Sequence, residues 1–300
     1  MKHLNLTHPY RWISRPLTNQ ALRCLAVATL LLGCGPLPAE TPSAEVDLAG
    51  SRVPPCLADN DGIITASEFP FAAAVPARFS IASGSLPIHE TIIRGEPSSD
   101  PGGRRWDFSD LSELPFQPVV LEAHPLSDQW FASSFETASL AAPLSADGSL
   151  LGALAVSAEQ VSLLGTASRD EDDPAGKTLL VYENPIPLYR FPVEVGQAYN
   201  HTSEAHQVLL NGIPTALEDT YSIEVSARGT LVLPQLVLEN TLRITVRLNR
   251  VLLVGSAEQV SHIFVHECIG EVARIVSIPS QTHPIDTVFG TAQEIRRLSL

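Results

Sequence analysis

Three hundred residues suffice for one large or two modest domains with a full hydrophobic core. A hydrophobic share of 44% against 17% charged, punctuated by 24 prolines and 18 glycines, argues against a disordered chain and against long helices. The formal charge of −14 sets the surface against phosphate backbones, so nucleic-acid binding is not expected.

The chain opens with the features of an export signal. Lys2, Arg11, Arg15 and Arg23 precede an apolar run over residues 25–33, and no acid occurs in residues 1–33. That run is about half of what a helix needs to cross a bilayer and fits the apolar stretch of a signal peptide. Loss of these four bases would leave a net charge of −18. The run ends in Leu31-Leu32-Gly33-Cys34, which resembles the lipobox of bacterial lipoproteins. The resemblance implies a diacylglyceryl group on Cys34, cleavage before it and a further acyl chain, palmitate-like, on the new amino group. Several chains anchor stably where one does not. Gly35 follows rather than Asp, which by analogy favours the outer membrane over the inner. Two readings compete: an ordinary cysteine just past a conventional cleavage site, or an uncleaved anchor.

Residues 34–55 are rich in Pro, Ala, Ser, Thr and acid without apolar periodicity, and are expected to be a disordered, flexible tether. Of the four cysteines, Cys24 leaves with the signal and Cys34 carries lipid. Cys56 and Cys268 remain as an even pair in an oxidising compartment. A disulfide between them would close a long loop, worth roughly 3–5 kcal/mol in the chain-entropy model. Two buried free thiols are the alternative.

Residues 56–71 hold LADNDGIITASE (57–68), which resembles the EF-hand calcium loop. The resemblance implies ligands from Asp59, Asp61, the Ile63 carbonyl, Thr65 and Glu68, with Gly62 at the sharp turn. The pattern's first carboxylate is missing, since Leu57 stands there, and SRVPPC before it cannot be an entering helix. A weak calcium site is expected, or else a purely structural turn with a short helix over 65–69 that docks Phe69 and Phe71.

Residues 72–300 read as a mainly β domain. ARFSIAS, IHETIIRG, QPVVLEA, VSLLG, TLLVYEN, YSIEVSA, TLVLP, LRITVRLNRVLLVG, HIFVHE and VARIVSI all suggest strands. Tyr221, Ile223 and Val225 alternate with period two, as do Leu242, Ile244, Val246 and Leu248. Recurrent turn residues point to an antiparallel β-sandwich or open barrel. The acidic stretch 169–177 either separates two β subdomains or forms a long hairpin loop.

Two stretches carry a family resemblance. Residues 188–246, with LYRFPVEVG and GTLVLPQLVLENTLRITV, look like a β domain that recurs in secreted and lipid-anchored bacterial proteins. The order of DNDG, RRWDFS (104–109) and VHECIGEVARIVS (265–277) resembles uncharacterised lipoproteins of myxobacterial type. This implies location and fold, and no activity.

No G-x-S-x-G elbow occurs. His262, His266 and Glu267 could be imagined around zinc, but polar strand positions explain them more simply. Trp106, Trp130 and Tyr189 suit either a sugar or lipid cleft or ordinary core packing. The function expected is therefore that of a membrane-anchored, non-enzymatic binding or envelope-structural protein. The alternative is a carrier of lipid or hydrophobic small molecules with an apolar cavity between sheets, and an extracytoplasmic hydrolase comes last. The partner or ligand is not legible in the sequence.

Overall fold

The computed structural model describes residues 56–70, 73–98, 103–281 and 284–300. The expected signal, Cys34, the tether and Phe71 lie outside the described residues. Two short pieces begin the fold: β1 (Ala77–Pro87) and the helix α1 (Glu90–Arg94). Next come β2 (Glu96–Pro97), β3 (Arg104–Asp107), β4 (Gln117–Leu121) and β5 (His124–Pro125). After two 3₁₀ turns the chain becomes an almost unbroken meander. It comprises β6 (Leu140–Pro143), β7 (Leu150–Val156), β8 (Gln160–Ser168), β9 (Leu179–Arg190) and β10 (Ala198–Leu210). It continues through β11 (Ile213–Leu233), β12 (Leu236–Leu252), β13 (Gly255–His266), β14 (Gly270–Ser277) and β15 (Thr291–Leu298).

These strands make one large sheet, ordered β4-β1-β15-β14-β13-β12-β11-β10-β9-β8-β7-β6-β5. It is mainly antiparallel, as expected, and its ladder does not close. β3 is the exception in direction, lying parallel to β11 from Gly229 to Val232. The acidic stretch 169–177 connects β8 and β9, which pair with each other. No described helix is long and apolar enough to cross a membrane.

One expected strand is a helix. In IHETIIRG, His89 caps the chain by accepting the Thr91 N–H on its ring, and Glu90 pairs with Arg94 one turn on. Gly95 then ends the turn at φ 69°. Local capping and an i,i+4 ion pair outweigh the β-branched residues that suggested a strand.

The hairpin of β11 and β12 spans 21 and 17 residues, far beyond ordinary strand length. It can be this long because it serves two cores. Tyr221, Ile223 and Val225 face the first, with Ile244, Leu180, Ile186 and Val265. A bulge between Val225 and Ala227 then reverses sides, so that Ala227, Leu231 and Leu233 enter a second core. There Trp106 and Phe108 meet Phe264 edge-on at 5.1 and 5.3 Å. Each wholly buried ring of this kind contributes about 1.5–3 kcal/mol. Trp106 is therefore a core residue, and its indole N–H donates to the Ile93 carbonyl at 3.2 Å.

The ends of the strand order curl toward each other. Ala146, in the β6–β7 turn, packs on Phe79, Ile81 and Leu121 of β1 and β4. The two end strands, β4 and β5, are joined by only Glu122 and Ala123. The result is a curled, incompletely laddered barrel with an inside and an outside.

Candidate metal centre and cleft

Residues 57–68 fold as two successive Asx turns. The Asp59 carboxylate accepts the Asp61 N–H at 3.1 Å, and the Asp61 carboxylate accepts the Ile63 N–H at 2.7 Å. Asn60 and Gly62 both take positive φ, 60° and 79°. A side chain at Gly62 would also strike Arg228, which lies 2.6 Å from where a Cβ would stand. Ile64 exchanges both backbone hydrogen bonds with Val193, at 3.0 and 2.8 Å, and so stitches the loop to the barrel.

The disulfide joins Cys56 to Cys268 across 212 residues, with Cα atoms 5.5 Å apart. Its consequence is the position of Glu267. This carboxylate is buried and accepts the Asn60 N–H at 2.8 Å and the Gly62 N–H at 3.1 Å. Glu68 is buried as well. One of its oxygens accepts the Thr65 N–H and hydroxyl at 2.9 and 2.7 Å, and its own carbonyl accepts the Cys268 N–H at 2.7 Å.

Oxygens of Asp59, Glu68 and Glu267 lie within 4.8 Å of one another, and these acidic groups could hold a metal ion. Of the residues the loop pattern implied, Asp59 and Glu68 converge. Asp61 gives its carboxylate to the turn, and the Thr65 hydroxyl donates to Glu68. The third carboxylate, Glu267, comes from the far end of the chain. The signal that could have found it is its neighbour: once Cys268 is bonded to Cys56, the residue beside it must lie against the loop. Residues 66–68 form a turn rather than the short helix of the structural reading, yet Phe69 does dock, on Tyr189 and Phe191 at 4.7 and 5.8 Å.

Among the described residues a second such group is Glu183, Glu204 and His206. All three side chains are at least half exposed, as in ordinary solvated ion pairs. His262, by contrast, is buried. Its Nε2–H donates to the Thr287 carbonyl at 2.7 Å, which leaves Nδ1 to accept the Thr245 hydroxyl at 3.2 Å. Burial, with Arg243 nearby, lowers its pKa to about 4. It is a neutral, fully used core histidine.

The inside of the curl is not filled. A cleft of about 850 Å³ is lined by inward residues from β1 round to β15. That volume lies in the upper range of small-molecule sites. Its floor is the alternation read from the sequence: Tyr221 opposite Leu248, and Val246 and Ile244 beside them. Leu144, Leu150, Leu163 and Leu188 form the facing wall. Tyr189 lines the cleft too, whereas Trp130 spends its indole N–H on the Ser168 carbonyl. Burial pushes the hydroxyls of Tyr189 and Tyr221 well up, so both stay neutral.

No protein-family model, curated protein or solved structure matches the chain.

Proposed function

We propose that this is a lipid-anchored, extracytoplasmic binding protein without catalytic activity, which takes a small apolar ligand into the cleft of its curled sheet. The observation that carries the reading is the cleft itself: about 850 Å³ of space, lined by leucine, isoleucine and valine side chains together with polar ones, that an ordinary core would have closed. The Leu-Leu-Gly-Cys34 box supports the anchor, with Cys34 as the acylated residue and the outer membrane as the favoured location. The Cys56–Cys268 bond supports an oxidising compartment.

Calcium is the cation this reading gives to Asp59, Glu68 and Glu267. All three offer hard carboxylate oxygens, and no cysteine thiolate or imidazole joins them, which disfavours zinc. Its role is to hold residues 57–68 against the barrel. Backbone N–H groups already orient Glu267, so binding needs little rearrangement.

Native mass spectrometry of the protein purified from its own host tests the main claim. A co-purifying ligand of defined mass is expected. A clean apo mass under conditions that preserve non-covalent complexes would overturn it.

A further inference from the structure

Three of the four charged groups that reach the cleft are already paired with an opposite charge. Arg250 grips Asp219 through Nε at 2.8 Å and Nη2 at 2.7 Å, and the Tyr182 hydroxyl donates to the same carboxylate at 2.5 Å. Arg274 bonds Glu271, with its Nε donating at 3.0 Å. Glu294 accepts Arg296 at 2.8 and 2.7 Å, and Arg296 reaches Glu271 as well at 3.5 Å. The remaining lining charge, Asp147, is exposed in the β6–β7 turn, where Ser145 and Ser149 hold its carboxylate. The four charges on the wall, Arg250, Arg274, Asp147 and Glu294, sum to zero.

Resting on the cleft as the binding site, we propose that it selects ligands without net charge: an apolar body bearing hydroxyl, ester or amide groups, such as an acylglycerol. Fatty-acid-like anions and alkylamines are rejected. A carboxylate ligand needs a free guanidinium fork, and both inner arginines have theirs engaged. Breaking the Arg250 pair to admit it would strand the buried Asp219, which costs more than the new contact returns, and Arg274 would have to give up both of its hydrogen bonds to Glu271. An ammonium meets the same obstacle at Glu294, and the exposed Asp147 offers it only a solvent-screened carboxylate. What the cleft leaves for recognition is uncharged: the floor of Tyr221, Leu248, Val246 and Ile244, with Ser261 and Gln293 beside it.

The test is displacement of a neutral apolar dye, N-phenyl-1-naphthylamine, from the full-length protein. A monoacylglycerol is expected to compete at a concentration at least about tenfold lower than the fatty acid or amine of equal chain length. Val246→Trp, which fills the floor, should abolish dye binding while the circular dichroism spectrum is kept. Leu248→Trp repeats the experiment should that variant fold poorly. Leu248→Lys, adding a cation to the floor opposite the uncharged Tyr221 and Gln259, should bring the fatty acid at least level with the monoacylglycerol. If the tryptophan variants bind dye as the parent does, or the parent binds none, the cleft is not the site and the proposed function falls with it. If tryptophan blocks binding yet the fatty acid competes as well as the monoacylglycerol in the parent, neutrality is refuted and the cleft reading stands.

Discussion

Arg250 holds Asp219 through two hydrogen bonds of 2.8 and 2.7 Å, although Asp219 has no exposed surface at all. A carboxylate so placed is tolerable only while its partner remains. Arg250→Met is expected to destabilise the protein by about 3–5 kcal/mol, because it leaves a buried charge uncompensated. Removing both, as in Asp219→Leu with Arg250→Met, should recover most of that loss. Urea unfolding followed by tryptophan fluorescence measures both, and a single variant as stable as the parent would refute the pairing.

The carboxylates of Asp59, Glu68 and Glu267 predict a calcium-dependent stability. With a dissociation constant of about 1 mM and about 10 mM calcium, linkage gives roughly 1.4 kcal/mol, or a Tm rise of about 3–6 °C in a domain of this size. EDTA should remove the rise. Glu267→Gln should abolish it, since an amide keeps one acceptor for the Asn60 and Gly62 N–H groups but loses the charge. Differential scanning calorimetry decides it, and an equal calcium response in parent and variant would sink the assignment.

Reduction of Cys56–Cys268 should cost about 5 kcal/mol in the chain-entropy model, given the 212-residue separation. The same reduction frees the segment that carries Glu267, so calcium sensitivity should vanish along with stability. Unfolding midpoints with and without a phosphine reductant, each at two calcium levels, read both effects at once.

His262 makes stability fall in acid. Its folded pKa is about 4, against about 6.5 for an unperturbed side chain. Below pH 6.5 the unfolded chain takes up a proton that the folded chain refuses. Stability is therefore intact above that value and is lost as pH falls toward 4, by about 3 kcal/mol from this residue. His262→Gln should flatten that part of the profile in urea titrations at stepped pH.

Gly229 marks where β3 lies across β11. A methyl group there would come within 1.9 Å of the Arg104 carbonyl, a contact with rigid backbone. Gly229→Ala is expected to cost about 2–4 kcal/mol and to release the strand that buries Trp106. Increased acrylamide quenching of tryptophan would accompany the loss.

Much of this was legible in the sequence because it is local. Period two in 221–225 and 242–248 gave the strands and their inward faces, and the Asn-Asp-Gly turn adopts the backbone its residues favour. The cysteine pair followed from counting. What could not be read depends on distant segments meeting. Glu267 reaches the loop only through a bond spanning most of the chain. IHETIIRG contains as many β-branched residues as the true strands, and its cap decides otherwise. The cleft is a matter of curvature: the inward residues of β12 read the same whether the sheet folds flat on a partner or arches over empty space. Nothing in the local sequence marks Arg274 and Glu294 as lining the cleft, where Arg274 pairs with Glu271 and Glu294 with Arg296.

The link of Glu122 and Ala123 between the sheet's two end strands sets a mechanical ceiling. From Leu121 to His124 there are three Cα steps, which can stretch to about 11 Å and no further. However the walls flex to admit a guest, the slot at that point cannot gape wider than the chain that straps it.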